Sequence, residues 1–245
     1  MTISIIIPVE NESTVIKSLL EYLTPLQSEC EIIFVDGGST DDTRELIEKW
    51  MRERDRGRFS VSQSEPENHP LSRFLLSPQK GRAKQMNYGA SKAGGEVLWF
   101  LHADSTPPMD ALDRIREVLR KGYKAGCFRL RFDSKHPLML YNSLASNLRV
   151  RIRSIAFGDQ GIFILKEFFN EIEGYASIPL MEDYQLSLDI KKAGLSFGVA
   201  KGCITTSVRR YRTHGMLRTM LKMQVLQRRF RRGDDMEEIA KEYDS

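Results

Sequence analysis

The run Val97-Leu98-Trp99-Phe100-Leu101-His102-Ala103-Asp104-Ser105 ends an apolar segment in a polar tip with one carboxylate, followed by Thr106-Pro107-Pro108. A buried strand that delivers Asp104 to the carboxyl edge of an open α/β sheet puts it where such sheets bind ligands. A carboxylate there can hold a divalent metal, and a metal can hold a diphosphate. The same residue could instead cap the helix that begins near Met109, since Asp is a favoured capping residue.

Three further constellations carry chemistry. Pro8-Val9-Glu10-Asn11-Glu12 and Val35-Asp36-Gly37-Gly38-Ser39-Thr40-Asp41 follow two apolar runs, so adjacent parallel strands would bring Glu10 and Asp36 to one sheet edge. Carboxylates there accept hydrogen bonds from a ribose or a base N–H, although Ser39, Thr40 and Asp41 equally suit loop capping. Gly81-Arg82-Ala83-Lys84-Gln85 opens a helix with two cations. The helix dipole disfavours cations there, so their presence points to an anionic ligand. Glu182-Asp183 begins another helix, either as caps or as a general base tuned by its neighbour. Upstream, Phe157-Gly158-Asp159-Gln160-Gly161 is a polar loop whose glycines would let a ligand approach the backbone.

The elements needed to position these groups follow from periodicity. Ile3 to Val9, Glu31 to Val35 and Glu96 to Leu101 read as buried strands, and Phe59 to Gln63 as a weaker one. Helical spacing covers residues 15–23, 41–54 and 81–93, and the three prolines within 64–80 predict a surface loop. This alternation predicts a mostly parallel sheet with helices on both faces. Beyond Asp104 the rhythm changes. Helices are predicted at 111–120, 137–155 and 183–193, an alternating and antiparallel strand at 125–133, and a further strand at 161–165. The expected organisation is one unit over 1–212, with a nucleotide-binding half (1–105) and an acceptor half (106–212), followed by a helical extension at 213–245.

Composition constrains the partners. The 245 residues are 41% hydrophobic and 29% charged, with 37 basic against 33 acidic side chains. A net charge of +4 gives no argument for nucleic acid. Cys30, Cys127 and Cys203 lack metal-ligand spacing and suit a reducing compartment. No signal peptide and no run of about 18 apolar residues is present, so a cytoplasmic location is expected. Residues 215–232 set Leu217, Met220, Leu221, Val225 and Leu226 against a basic side ending in Arg228-Arg229-Phe230-Arg231-Arg232. That pattern fits a helix packed on the domain, or one lying peripherally on the inner face of an anionic membrane.

Taken in order, these motifs resemble the nucleotide-sugar glycosyltransferases of family 2, which have the GT-A fold. The likeness spans about residues 3–200. The Gly-Arg-Ala-Lys-Gln and His-Ala-Asp-Ser details, with Arg209-Arg210-Tyr211, look most like the branch associated with radical-SAM/selenodomain proteins and arsenosugar biosynthesis. The resemblance implies an inverting transfer from a UDP- or GDP-linked sugar to a small-molecule or lipid-linked acceptor, with Mn2+ or Mg2+. It makes Asp183, supported by Glu182, the base. It assigns the nucleotide to Pro8, Glu10, Glu12, Asp36, Arg82, Lys84, Ala103, Arg209, Arg210 and Tyr211, and the acceptor to Asp159, Gln160 and Gly161. Asp104 becomes the metal ligand. The family has Asp-x-Asp here, whereas His102 replaces the first acid; a neutral histidine can ligate manganese but adds no negative charge. Three readings compete: a membrane-surface scaffold, a nucleotide-sugar-binding protein without transfer, and a nucleotidyltransferase. The last usually carries a Gly-rich loop after its first strand, which Val9-Glu10-Asn11-Glu12 lacks.

Overall fold

The computed structural model describes residues 1–59 and 72–244, without the side chains of 54–59, 210, 214 and 244. In chain order the first half contains β1 (Ile3–Val9), α1 (Ile16–Leu23), β2 (Glu31–Asp36), α2 (Thr43–Phe59), β3 (Ser72–Leu76), α3 (Arg82–Lys92) and β4 (Val97–Phe100). The second half contains β5 (Ser105–Thr106), α4 (Ala111–Arg120), β6 (Ala125–Phe132), α5 (Pro137–Arg153), β7 (Phe163–Leu165), α6 (Lys166–Glu171), α7 (Glu182–Lys192) and β8 (Gly198–Thr206). Three helices follow: α8 (Arg209–His214), α9 (Met216–Arg232) and α10 (Met236–Asp244).

The strands form one sheet in the order β3-β2-β1-β4-β7-β6-β8-β5. Pairing is parallel from β3 to β4 and antiparallel on both sides of β7, while β8 runs parallel to β6 and antiparallel to β5. Every residue of β1, β2 and β4 is buried, as expected for central strands covered on both faces. Their side chains sort with period two. Ile5, Ile7, Phe34 and Trp99 pack with α1, α2 and α4 through Leu19, Leu23, Ile47 and Ile115. Ile6, Ile33, Val35, Leu98 and Phe100 form the other layer with Met86 and Ala90 of α3, Phe169 of α6 and Leu186 of α7. Helix α3 lies close on that layer because Gly89 permits it: a Cβ there would sit 2.6 Å from Ile6 Cγ2.

The expected surface loop at 64–80 is corrected in its second part. Ser72–Leu76 pairs in parallel with Ile32–Asp36, because Phe74 and Leu75 can still cover the sheet edge. Phe59 ends α2 rather than starting a strand, and 60–63 of that expected strand lie outside the described residues. The expected antiparallel strand at 125–133 is antiparallel to β7 alone. The C-terminal helices share a core with the rest of the chain, where Leu226 and Ile239 pack with Ile155, Leu180, Met181 and Tyr184.

At the opposite, amino-terminal edge, a buried carboxylate ties three segments. Glu31 Oε2 accepts from Ser4 Oγ at 2.5 Å and from the Gly94 N–H at 2.7 Å, and Ser4 Oγ in turn accepts from the Gly95 N–H at 2.9 Å. Replacing Glu31 by Ala leaves buried donors unpaired and costs about 1.5–3 kcal/mol. For a chain of this size that lowers Tm by roughly 3–12 °C in thermal unfolding; an unchanged Tm contradicts the role assigned to this knot.

Candidate active site

The parallel register ends β1 and β2 together, with Val9 opposite Asp36, and β4 delivers its exit loop beside them. Gln85, in the first turns of α3, donates from Nε2 to Val9 O at 2.9 Å and to Val35 O at 2.8 Å. This buried amide holds the two strand ends at a set spacing and places the start of α3 over them. Its sequence signal was only a polar residue on the apolar side of a helix. The short pairing of Ser105 with Thr206 brings the exit of β8 alongside Asp104.

A cavity of about 220 Å³ opens at this edge, with Arg82, His102, Asp104, Asp159, Glu182 and Asp183 in its walls. The Asp183 carboxylate accepts from the Gly158 N–H and from its own neighbour's Tyr184 N–H, both at 2.7 Å. Burial pushes its pKa up, while these amides and Arg82 pull it down. Glu182 is pushed up to about 7 by burial and by the Asp183 charge, against a 3.5 Å ion pair with Arg82 Nη1. Burial likewise pushes Asp159 up to about 7, and its Oδ1 atom is shut from solvent with no hydrogen-bond partner among the described residues. Asp104 is raised by burial, and Arg209 and Arg82 oppose that shift.

His102 packs against the backbone of Gly158, where a Cβ would lie 2.4 Å from Nε2. Burial and the Arg82 charge push its pKa down to about 3, so the imidazole is neutral at physiological pH. Among the described residues, no cluster of three or more His, Cys, Asp or Glu is arranged to hold a metal ion. Asp104 supplies one hard oxygen ligand in the cavity wall. A divalent cation therefore fits at Asp104 only if most of its ligands come from water and a diphosphate, which is how Mg2+ is often bound.

Beside this cavity a second cleft of about 330 Å³ is lined by Pro8, Glu10, Glu12, Arg82, Gln85 and Glu182, with Ala240 and Tyr243 of α10 opposite. Arg82 thus faces both spaces, whereas Lys84 is exposed and lines neither. Glu10 pairs with Lys80 at 3.8 Å. Arg209 bridges Glu12 at 3.1 Å and donates to Thr14 Oγ1, tying the C-terminal segment to the β1 exit. The Tyr211 hydroxyl accepts from Asn142 Nδ2 at 3.0 Å at the cavity wall, and the Arg210 side chain lies outside the described residues.

Several expected contacts turn inward. Asp36 is 2% exposed and accepts from Ser39 N and Oγ, the loop-capping arrangement. Ala103 is buried. Gln160 donates to Phe128 O and accepts from the Phe157 N–H and Arg149, so its amide is consumed within the fold. Gly161 faces Ile204 and the Trp99 ring rather than the cavity. Of the three expected acceptor residues, Asp159 alone lines the cavity.

Known proteins share this fold. The family model described as Glycosyl transferase family 2 matches residues 4–168. An undecaprenyl-phosphate 4-deoxy-4-formamido-L-arabinose transferase of Yersinia enterocolitica is 30% identical over 125 residues, 49% of this chain and 34% of that protein. The chain thus spans about a third of that relative's length. Among solved structures, S. aureus TarS 1-349 in complex with UDP-GlcNAc superposes with a TM-score of 0.63 at 16% identity, covering 85% of this chain and 59% of that one. The mannosyltransferase PcManGT from Pyrobaculum calidifontis, in complex with GDP-Man and Mn2+, gives 0.67 at 18% identity over 92% of this chain and 62% of that one. These likenesses show a shared fold, the mixed α/β GT-A sheet with flanking helices. With its family model covering most of the sheet and the β4 exit, the chain belongs to glycosyltransferase family 2.

Proposed function

We propose that this protein transfers a sugar from a nucleoside-diphosphate sugar to an acceptor hydroxyl, with inversion at the anomeric carbon. The observation that carries the reading is Asp183, a carboxylate enclosed beside three further acids yet oriented by two backbone amides at the cavity wall. In the proposed step the acceptor oxygen bonds to the anomeric carbon and its proton passes to Asp183. The bond from that carbon to the diphosphate oxygen breaks, and the nucleoside diphosphate departs with the electron pair. Base and leaving group then lie on opposite faces of an oxocarbenium-like centre, as in inverting glycoside hydrolysis. Arg82 and Arg209 supply positive charge on the departing side. A bound Mn2+ or Mg2+ at Asp104 would neutralise diphosphate charge.

The cleft between Glu10 and Tyr243 is the proposed nucleoside site. UDP and GDP both suit it, given that TarS and PcManGT were solved with UDP-GlcNAc and GDP-Man. A lipid-linked acceptor is supported by the undecaprenyl-phosphate in the name of the Yersinia relative. No described helix is long and apolar enough to cross a membrane. The exposed Leu217, Leu221 and Val225 on the basic helix α9 support a peripheral membrane contact. The Gly81–Gln85 and His102–Ser105 details support placement in the radical-SAM/selenodomain-associated branch.

Two outcomes test the base. Asp183→Asn keeps the side chain's size and can accept from one of the two backbone amides, but it cannot take a proton, so kcat falls about 100-fold or more. UDP affinity by calorimetry stays within about twofold of wild type; near-wild-type turnover with an assayed donor and acceptor contradicts the assignment. Because Glu182 and Asp183 both have raised pKa values, the pair holds a proton in acid and the base is then lost. The value of kcat/KM therefore rises with pH through the acid range, and a profile flat there contradicts the reading.

A further inference from the structure

Beyond the donor cavity lies a larger one of about 590 Å³, between helices α5 and α9. The two cavities share Phe132, Phe157, Asp159, Tyr211 and Met223, so the second opens onto the acceptor side of the first. Its lining is unusual in charge. Arg149 and Arg153 come from α5, Arg228 and Arg231 from α9, and Asp159 is the acid that meets them, at the shared wall. None of these arginines forms an ion pair with a carboxylate among the described residues. Elsewhere arginines find such partners readily: Arg229, on the same helix, binds Asp234, Glu238 and Glu242.

Arg149 is the deepest of the four. Its guanidinium stacks 3.8 Å over the Phe157 ring and donates from Nε to Ile155 O at 3.2 Å. Burial disfavours its charged form. Asp159 and Asp183 favour its charged form from a distance, and Arg149 Nη2 donates to Gln160 Oε1 at 3.4 Å, but no carboxylate pairs with it directly. A half-buried guanidinium fixed by an aromatic face and two neutral oxygens, in a wall shared with three further arginines, is arranged for an anion. Guanidinium groups match phosphate and carboxylate oxygens in geometry as well as charge.

Besides the polar Asn142, Ser146, Gln224 and Gln227, the cavity has an apolar side. Leu148 and Ile152 of α5 face Met220 and Met223 of α9 across it. Leu148 and Ile152 are 51% and 72% exposed, and they continue outward along α5 into Leu140 and Leu144, at 56% and 66%. Four aliphatic side chains at a spacing of four form one uncovered stripe leading away from the arginines.

We infer that the α5–α9 cavity is the acceptor site, and that the acceptor is an amphiphile whose anionic head lies among Arg149, Arg153 and Arg228 while its apolar chain runs along the α5 stripe. This rests on the transferase reading for the word acceptor; the binding claim itself does not.

The test uses the full chain and three probes: decyl phosphate below its micelle concentration, inorganic phosphate, and the neutral decyl maltoside. Decyl phosphate is expected to bind at least about tenfold more tightly than either of the others by calorimetry. Arg153→Gln/Arg228→Gln should weaken decyl phosphate about tenfold or more, whereas Arg151→Gln/Arg232→Gln, outside the cavity lining, should not. Leu144→Gln, on the exposed stripe, should weaken decyl phosphate and leave inorganic phosphate unaffected. Equal binding of inorganic phosphate would overturn the amphiphile, and equal binding of decyl maltoside would overturn the anionic head. Wild-type affinity in the Arg153/Arg228 double variant overturns the site. Donor binding is scored separately with UDP: its loss in the wild-type protein would sink the transferase reading while leaving the amphiphile result standing.

Discussion

Four carboxylates converge on one small cavity, and the cost of enclosing like charges governs the rest of the site. Asp104, Asp159, Glu182 and Asp183 all have pKa values raised chiefly by burial, and Asp183 raises both Asp159 and Glu182 further. Two like charges in a poorly solvated space cannot both ionise freely. The fold offsets this in two ways: backbone amides from Gly158 and Tyr184 serve Asp183, and Arg82 serves Glu182. Asp159 Oδ1 receives neither. What is left over is proton affinity near neutrality and attraction for cations, the two properties a base and a metal-assisted diphosphate site require.

The convergence is a product of topology. Strands β1, β2 and β4 run parallel, so their carboxyl ends and exit loops share one edge, and helix α3 begins there because Gln85 bonds to two of those strands at once. The second half of the chain reverses strand direction at β7, which returns the Phe157–Gly161 loop and α7 to the same edge. Close approach then depends on size. Gly158 has no Cβ, and that lets its N–H reach Asp183 while His102 packs on its other side. The C-terminal helices complete the enclosure, with Tyr243 in the walls of both clefts.

Much of this was legible in sequence, for a physical reason. Buried strands and amphipathic helices announce themselves by period, so Ile3–Val9, Glu31–Asp36 and the helix from Arg82 fall close to where periodicity puts them. Acids at strand ends and helix starts stand out against apolar neighbours, as Asp104 and Glu182-Asp183 do. Less legible were groups whose roles come from long-range packing. Gln85 looks like any polar helix residue, Gln160 like a ligand contact until its amide is seen to bond Phe128, and Lys84 is as basic as Arg82 although it points away from both cavities. Strand β8 has only mixed burial, and α10 is dense in charge with its Ile239 and Tyr243 contacts supplied by other helices. The arginine-lined cavity was hidden for the same reason, since its two helical walls lie far apart in the chain, from Arg153 on one to Met220 on the other at their nearest.

The central claim is that Asp104 and a nucleoside diphosphate together hold a divalent cation at this edge, without a second acid at position 102. The direct measurement is calorimetric titration of UDP and GDP into the wild-type protein and Asp104→Ala, each with and without Mn2+. Mn2+ is expected to tighten binding of the preferred nucleotide about tenfold or more in the wild type and to have no effect in the variant. Equal nucleotide affinity with and without Mn2+ in the wild type, or a metal effect that survives in Asp104→Ala, would contradict it.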